Sequence, residues 1–558
     1  MTVSFRLARA LVLPSALLAG ATLAACEGCR GRSSSAPASS PPTVRLYLLS
    51  TVAGALEPCG CSKNQLGGFD HFGAYVRAEA THAPASLVAE AGPLFFLDPQ
   101  RRGDQAAQDD AKAQAIADSL AKLGMAAFAP GANDWCDGAK GLDELRTRSS
   151  TSIVAANLAG QTAGAVPWTM KEAGGLKIAL LGVSTPLRMG VPPDGVELKP
   201  PAEALHAAIA DAKAKGAQVL VGLFALRRGD ALRLVENAPE LQVAVIGKPF
   251  DQGEANDKPA DPVLLGKTLV VQPSNHLQTV SVVDLFVRDG KLDFQDAAGI
   301  AKSADRAILV ARIDELRAKI RTWEQSPGIK KEDLDARKAD LAKAIADLRQ
   351  LETPPPPAQG SFFRVTLQEI RQDLGRDDPV YKEMLEYYDE VNEHNRKAFA
   401  DRTPKPPGPD GNKYIGVQAC AACHAAAKTV WDGTPHAHAY ETLASQHKQF
   451  NLDCVSCHVT GYEQPGGSTV THVSGLEAVQ CEDCHGPGGK HRDNPTDKSL
   501  LVGHPKPEAC VGSCHHPPHV EGFDPVAQMH RILGPGHGNP ANWPPLAASP
   551  PQTRKNGN

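Results

Sequence analysis

Cysteine and histidine are concentrated near the carboxyl terminus of this 558-residue chain, where 14 of the 19 histidines and 8 of the 13 cysteines follow Tyr414. The cysteines form three C-x-x-C-H motifs and one wider C-x-x-x-C-H motif. In such a motif, the two thiols add to the vinyl groups of one haem and the adjacent imidazole binds the iron. The predicted attachment residues are Cys420, Cys423 and His424, then Cys454, Cys457 and His458, then Cys481, Cys484 and His485, and finally Cys510, Cys514 and His515.

Other chemistries also use pairs of cysteines at this spacing. A single C-x-x-C occurs in redox dithiols and in half of a zinc site. Here the motifs lie close together, and each has a histidine directly after its second cysteine, which favours haem. We therefore expect three or four covalent c-type haems. The number depends on whether the extra residue between Cys510 and Cys514 can be looped out.

Each haem iron has a second axial position, and ten further histidines lie in this part of the chain. A second imidazole gives an iron that transfers electrons without binding a substrate, whereas an open position allows ligand chemistry. The sequence therefore favours an electron-transfer cytochrome. The alternative is an oxidoreductase that acts on a small nitrogen or oxygen species. In either case the segment is expected to need its cofactor in order to fold.

The stretches around the cysteine pairs carry a more specific pattern. They include residues 414–420 (YIGVQAC), 431–437 (WDGTPHA) and 479–491 (VQCEDCHGPGGKH). Over about 412–540 the chain resembles the tetrahaem cytochromes c that accept electrons from hydroxylamine oxidoreductase. The resemblance implies a mainly α-helical domain, redox proteins as electron donor and acceptor, and bis-histidine iron at most haems. The distal ligands that it implies are His436 and His491, with His438 as an alternative to His436. His472 and His504 are further candidates by their position in the sequence.

The elements that precede these motifs have a different pattern. Between residues 43 and 298, short apolar and β-branched runs alternate with alanine-rich stretches whose apolar residues recur every three or four positions. Alternation of this kind predicts an α/β domain whose sheet strands are covered by helices. We predict strands at 44–49, 87–90, 153–157, 178–183, 218–223, 243–246, 269–272 and 280–287, and helices at 104–123 and 201–215.

Four stretches of this domain, residues 54–58 (GALEP), 66–69 (LGGF), 154–158 (VAANL) and 177–183 (KIALLGV), resemble the calcineurin-like metallophosphoesterases, in particular the catalytic domain of periplasmic 5'-nucleotidases. That family holds two metals with carboxylates, histidines and asparagine. Most of these ligands are replaced, which predicts a phosphoesterase-like α/β sandwich without hydrolytic activity. A metal-dependent phosphohydrolase is the alternative. The replaced positions are Thr51, Ala53, Pro93, 131–134 (GAND), 223–225 (LFA) and 247–250 (GKPF).

Two further segments separate the predicted domains. Apolar residues from Leu309 to Trp323 repeat at alternating steps of four and three, and a second such stripe follows the Ser-Pro-Gly sequence at 326–328. This pattern predicts an antiparallel helical hairpin over 303–351. The proline-rich segment 352–411 is predicted to be a linker that contains one helical stretch, and residues 541–558 are predicted to be a disordered tail.

The amino terminus has the pattern of an export signal. Two arginines precede an apolar run that ends Leu23-Ala24-Ala25-Cys26, similar to the lipobox of bacterial lipoproteins. We predict a lipoprotein signal peptide at 1–25, lipidation of Cys26 and a disordered tether at 26–42. The protein is therefore expected in the periplasm or cell envelope, held to a bacterial membrane by its lipid anchor. A net charge of −5 argues against nucleic acid as a partner.

Four cysteines, Cys29, Cys59, Cys61 and Cys136, belong neither to the haem motifs nor to the lipid site. In an oxidising compartment they could form disulfides. Cys59-Gly-Cys61 could equally be a thiol or thiolate–metal redox site. The spacing leaves both interpretations open.

Overall fold

The computed structural model describes residues 40–58, 65–250, 256–326, 328–352, 354–516, 520 and 523–539. The described residues from Pro41 onward belong to one compact unit. In the part of the chain that is described, no helix is both long and apolar enough to cross a bilayer. The predicted signal peptide, the tail 541–558 and three of the cysteines outside the haem motifs lie outside these residues, as does the predicted lipidation site Cys26.

The first part of the chain alternates strands and helices. The strands are β1 (Val44–Ser50), β2 (Ser86–Gly92), β3 (Met125–Pro130), β4 (Ser152–Ile153), β5 (Leu158–Gly160), β6 (Trp168–Ala173), β7 (Leu176–Ser184), β8 (Val196–Leu198), β9 (Val219–Ala225), β10 (Val243–Gly247), β11 (Ala260–Leu265), β12 (Thr268–Gln272), β13 (Thr279–Phe286), β14 (Gln295–Asp296) and β15 (Phe362–Glu369). The helices are α1 (Phe69–Glu79), α2 (Ala106–Leu123), α3 (Gly138–Ser149), α4 (Pro201–Ala214), α5 (Arg228–Glu236), α6 (Ser303–Glu324), α7 (Lys331–Glu352) and α8 (Asp378–Ala398).

Two large sheets form the centre of this first domain. One has the strand order β14-β15-β13-β1-β2-β3-β4 and the other β11-β12-β10-β9-β7-β6. They share an apolar layer that includes Leu48 of β1 and Val221 of β9. Helices α1, α2, α3 and α8 cover the outer face of the first sheet, and α4 and α5 cover that of the second. Because the central strands are buried on both faces, they appear in the sequence as continuous apolar runs.

Strand β15 lies within residues 352–411, which the sequence predicts to be a linker with one helical stretch. At this strand the prediction of a linker is corrected. All eight of its residues pair with β13 in antiparallel register, from Phe286 opposite Phe362 to Thr279 opposite Glu369. Helix α8, in the same segment, packs on the first domain, with Met384 and Val391 in its apolar core. The pairing joins stretches separated by the whole of α6 and α7. Local sequence patterns carry no information about such a distant partner.

Helices α6 and α7 follow the first domain in sequence and contact each other. Their shared cluster contains Ile313, Leu316 and Ala344, with Leu341 and Ile345 partly buried beside it. Each helix therefore presents one apolar stripe to the other. This arrangement accounts for the spacing of apolar residues in the sequence.

The carboxyl-terminal part contains short helices joined by long irregular connections. They are α9 (Val417–Ala421), α10 (Ala425–Asp432), α11 (Ala439–Ala444), α12 (Cys481–His485), α13 (Gly489–Asp493), α14 (Glu508–Ser513) and α15 (Pro525–Gln528). Polar side chains hold the connections together. The carboxylate of Glu482 accepts hydrogen bonds from the N–H groups of Ile415, Gly416 and Gly488 at distances of 2.7–3.0 Å. Glu482, which lies between the two cysteines of the third motif, therefore anchors Ile415 and Gly416 at the start of this region.

Candidate functional site

The strand ends of the first domain meet in the loops where the resemblance to phosphoesterases predicts metal ligands. Asn133 and Asp134 lie there, directly after β3, and both face the backbone. The amide of Asn133 donates to the carbonyl of Leu97 at 2.8 Å. The carboxylate of Asp134 accepts hydrogen bonds from the N–H groups of Leu94 and Phe95 at 2.9 and 2.8 Å. Both side chains therefore hold the loop after β2 in place.

The two sheets contact each other directly at the same edge. Gly247 ends β10, and a Cβ atom there would lie 1.7 Å from the carbonyl oxygen of Ala91 in β2. The amide of Asn157 is occupied by the backbone of Ser184, at 2.7 and 3.0 Å. Among the residues that the structure describes, no group of three His, Cys, Asp or Glu side chains is arranged to hold a metal ion. The donors at these strand ends therefore do not fit a pair of divalent cations.

Two carboxyl groups near this edge are buried. Burial raises the pKa of Asp134 to about 7, against the lowering effect of its backbone N–H donors. Burial also raises the pKa of Glu90 in β2, and the nearby charge of Asp134 adds to this shift. Both pKa values are therefore set by burial within the protein.

The cysteines outside the haem motifs are described only in part. Cys136 is a free, half-buried thiol. Burial raises its pKa to about 12, so the thiol is protonated and weakly nucleophilic at neutral pH. Cys29, Cys59 and Cys61 lie outside the described residues. The choice between a disulfide and a redox site for these residues stays a prediction.

The first and fourth haem motifs each fold as one helical turn. In the first motif, the backbone N–H of His424 donates to the carbonyl of Cys420 at 2.9 Å. In the fourth motif, the N–H of His515 donates to the carbonyl of Cys510, also at 2.9 Å. The second bond spans one residue more, so the turn is widened by one position. Despite the extra residue, the backbone N–H of His515 is therefore bonded to the first cysteine of its motif, as that of His424 is in the shorter motif.

The motifs contact each other in two pairs. Contact with the thiol of Cys481 raises the pKa of Cys420, so the first motif lies beside the third. Contact with the thiol of Cys457 raises the pKa of Cys514, so the second motif lies beside the fourth. The thiol of Cys484 is also influenced by that of Cys510, so the third motif lies near the fourth as well.

Several imidazoles are oriented through one ring nitrogen. Nδ1 of His458 lies 2.6 Å from the carbonyl oxygen of Ala439, and Nδ1 of His485 lies 2.6 Å from that of Val502. A carbonyl oxygen only accepts hydrogen bonds, so Nδ1 carries the proton in each ring. The lone pair is then on Nε2, the nitrogen available to a metal. This donor arrangement fits haem iron at both positions.

Two pairs of imidazoles lie at a separation that fits one metal between them. The ring centres of His485 and His537 are 6.1 Å apart, and those of His436 and His515 are also 6.1 Å apart. An imidazole nitrogen binds a first-row metal at about 2 Å, so two rings on opposite sides of one ion have centres roughly 6 Å apart. Nδ1 of His537 also contacts a backbone carbonyl, that of Ile532. His436 thus lies next to His515, the predicted proximal histidine of the fourth motif, and its role as a distal ligand stays a prediction.

No motif in the sequence singles out His537. It was one of several histidines after the last motif, and no spacing rule distinguished it from the others. Its partner His485 lies on α12, so only the folding of the chain brings the two rings together. His530 shares the same orientation, with Nδ1 at 2.6 Å from the carbonyl oxygen of Ala527.

The other predicted distal ligands have varied surroundings. Nδ1 of His491 lies 3.4 Å from the carbonyl oxygen of Asp497, and Nδ1 of His472 lies 3.1 Å from the hydroxyl of Thr471. His504 lies close enough to His485 to contribute to the lowering of its pKa, which is caused mainly by burial. The pairing of these three residues with particular haems stays a prediction. His438, the alternative to His436, faces Glu441, with Nδ1 3.3 Å from the carboxylate.

The second haem motif is attached to the first domain through a polar interface. Gln108 of α2 donates to Asn451 at 3.2 Å and accepts the N–H of Leu452 at 2.9 Å. Asp453, directly before Cys454, forms ion pairs with Lys112 and Arg102. Burial alone would raise the pKa of Asp453, but the attraction of these two cations outweighs it and holds the pKa well below its usual range. Asp453 is therefore ionised at neutral pH.

Comparison with known proteins gives two sets of relatives. The family described as cytochrome c554 and c-prime matches residues 419–486. Cytochrome c-554 of Nitrosomonas europaea is 37% identical over 99 residues, a match that covers 14% of this chain and 42% of that protein. The chain thus spans less than half of the length of this relative. The match implies covalently bound haem c in the carboxyl-terminal part.

Several solved structures similar to this chain are nucleotidases or phosphoesterases. One is a 5'-nucleotidase precursor from Thermus thermophilus, with 21% identity and a TM-score of 0.35, covering 44% of this chain and 52% of that one. Another is the calcineurin-like phosphoesterase YfkN from Bacillus subtilis, with 17% identity and a TM-score of 0.36, covering 44% of this chain and 86% of that one. The resemblance to cytochromes c noted in the sequence recurs in the family match and in the curated relative.

Proposed function

We propose that this protein is an electron-transfer protein of the bacterial cell envelope. Its carboxyl-terminal part would carry c-type haems at the four cysteine motifs. The observation that carries the proposal is the pair His485 and His537, which lie 6.1 Å apart and both turn Nδ1 toward a backbone carbonyl. The family match over residues 419–486 supports it independently.

Haem bound at these motifs would supply one-electron chemistry at iron. The residues of the chain hold and orient the ligands. The carbonyls of Val502 and Ile532 fix the rings of His485 and His537, so that neither ring has to rotate when the charge of the site changes. An imidazole on each side of an iron leaves no position for a substrate, which suits electron transfer better than catalysis.

The arrangement of the motifs supports transfer between haems. The contact between Cys420 and Cys481 and that between Cys457 and Cys514 bring the attachment points together in two pairs. We propose that electrons enter from one redox protein and leave to another. The widened turn at Cys510 returns His515 to the position that His424 has in the first motif. This geometry favours four haems over three.

In this proposal the first domain is a scaffold without hydrolytic activity. At its strand ends, the side chains of Asn157 and Asp134 are engaged in hydrogen bonds with backbone groups. The proposal also includes export and a lipid anchor at Cys26. Replacement of Cys26 by serine should release the protein from membranes and abolish labelling by a fatty acid, while the haem content of the released protein stays the same.

The central experiment uses the full chain matured in a host that attaches haem. A pyridine haemochrome assay combined with intact mass should give four haems per chain, and carbon monoxide should leave most of the reduced spectrum unchanged. A colourless protein with free thiols would overturn the proposal. A spectrum that shifts with carbon monoxide at every haem would replace it by the oxidoreductase hypothesis. Turnover of a nucleotide ester with added Mn²⁺ or Zn²⁺ would contradict the inactive first domain.

A further inference from the structure

Charged residues of the first domain surround the loop that carries the second haem motif. Nζ of Lys112, on α2, lies 2.5 Å from the carboxylate of Asp453, and Nη2 of Arg102 lies 3.3 Å from it. The side chains of Lys112 and Asp453 are only 17% and 22% exposed. Arg102 also contacts Asp109 of its own domain. Lys112 therefore forms its ion pair with this loop, whereas Arg102 is shared between the loop and the first domain.

A second ion pair has the opposite polarity. Glu57 of the first domain contacts Lys448 of the haem-bearing part, and their side chains are 25% and 12% exposed. The hydroxyl of Tyr388 also donates to Glu57, at 2.5 Å. The Lys448 ammonium group lies 4.3 Å from the centre of the Tyr388 ring. The first domain thus contributes a half-buried anion here and a half-buried cation at Asp453.

Both ion pairs act on the same attachment point. Asp453 is the residue before Cys454, and Lys448, Glu57 and Lys112 all interact electrostatically with the thiol of Cys454. Charges in a partly buried site interact several times more strongly than in water. A group held at Cys454 therefore experiences the charges of the first domain directly.

We propose that the first domain sets the reduction potential of the haem held at Cys454 and Cys457, through the half-buried charges of Lys112 and Glu57. This inference rests on the proposed function. One-electron reduction of Fe(III) to Fe(II) removes one positive charge from the site. A nearby cation therefore stabilises the reduced state and raises the potential, and a nearby anion lowers it.

The opposite signs of the two residues give a specific test. Full-length protein matured with haem is titrated between dithionite and ferricyanide with redox mediators, while its visible spectrum is recorded. In Lys112→Gln, one component of the titration should move to lower potential. In Glu57→Gln, the same component should move to higher potential. The double variant should return towards the potential of the unmodified protein, because the net charge is restored.

Two further variants separate charge from packing. Lys112→Arg retains the charge and should leave the potential in place. Lys122→Gln removes a lysine from the same helix whose partner is Glu383, at 2.8 Å, and should leave every component unchanged. If Lys112→Gln does not acquire haem, the direction in which the reduction potential moves in Glu57→Gln tests the inference alone.

Unchanged potentials in Lys112→Gln and Glu57→Gln, at full haem content, would overturn the inference. Shifts of the same sign in both variants would also overturn it, since they would indicate a general loosening of the interface. A failure of the proposed function has a different signature. In that case the unmodified protein gives no pyridine haemochrome, and no titration component exists to be shifted.

Discussion

The first domain and the carboxyl-terminal part differ in what fills their interiors. The two sheets of the first domain enclose apolar layers that include Leu48, Phe128 and Phe224, with helices packed on both outer faces. Around the described carboxyl-terminal residues, one apolar cluster has five buried members, among them Val455 and Val459, and one of the five, Phe399, directly follows α8. From this contrast we propose that the first domain carries its own core, whereas the last part depends on what binds to its thiols and imidazoles.

The largest expected effect concerns the cofactor. Produced in a host that cannot attach haem, the chain should retain a folded first domain, while residues 412–539 lose their structure. Limited proteolysis with mass spectrometry should then cleave throughout this segment and spare the sheets. With haem attached, the same segment should resist cleavage. Resistance of the segment without haem would remove the proposed difference between the two regions.

A single distal ligand should affect one haem. His537→Ala removes the imidazole that lies opposite His485, so one haem of the set should become high-spin and bind carbon monoxide. Electron paramagnetic resonance and the visible spectrum measure this change. The matched control is His447→Ala, because His447 is exposed and its Nδ1 contacts Asp389. An unchanged spectrum in His537→Ala would show that His537 is not a ligand.

A core substitution should destabilise the first domain alone. Phe224 is fully buried in the layer beneath α4 and α5, so Phe224→Ala should reduce the free energy of unfolding by about 3–5 kcal/mol. Urea denaturation monitored by circular dichroism measures the loss, and the haem spectrum of the folded protein should not change. Leu385→Ala, at a position 43% exposed on α8, serves as the control, with an expected effect within about 0.5 kcal/mol.

The smallest expected effects concern the pH dependence of stability at two carboxylates, Asp134 and Asp453. The pKa of Asp134 is raised by burial to about 7. Its stabilising contribution is therefore complete at low pH and is lost as the pH rises through 7. The first domain should lose about 2 kcal/mol of stability between pH 5 and pH 7. Asp134→Asn should make this dependence shallower, which is measured by urea denaturation at each pH. Glu90, whose pKa is also raised by burial, keeps part of the slope, so a slope as steep as that of the unmodified protein would assign it to groups other than Asp134.

Asp453 should behave in the opposite way. Burial would raise its pKa, but Lys112 and Arg102 lower it below the usual value. Its contribution to the interface is therefore present above about pH 4 and is lost as the pH falls below that value. Hydrogen exchange of residues 450–453 at pH 3 and pH 6 measures this loss. Equal protection at both values would contradict it.

Some elements could be predicted from the sequence because their information is local. Helix α2 was expected at 104–123 and spans Ala106–Leu123, since its apolar residues recur at helical spacing. Strand β9 was expected at 218–223 and spans Val219–Ala225, because a strand buried on both faces is a continuous apolar run. Strand β3 was missed. Its sequence MAAFAP is rich in alanine, which favours helices, yet Ala127 and Ala129 fit between the two sheets.

In the candidate haem site too, local features could be predicted from the sequence and contacts between distant residues could not. The thiols and proximal histidines could be predicted because a haem needs its attachment residues within one turn of the chain. The approach of His537 to His485 could not, because the two residues are brought together only by the folding of the chain between them. The same holds for Lys112 and Asp453, which come from separate parts of the sequence.

The sequence by itself therefore determined the type of chemistry, since covalent haem attachment is encoded in a few adjacent residues. It also determined the α/β character of the first domain, because burial imposes a periodic pattern on strands and helices. Only the tertiary structure decided which imidazoles face each other, which motifs are neighbours and which charges of the first domain surround the second motif. These relationships depend on distances between remote residues, and local composition and spacing do not constrain such distances.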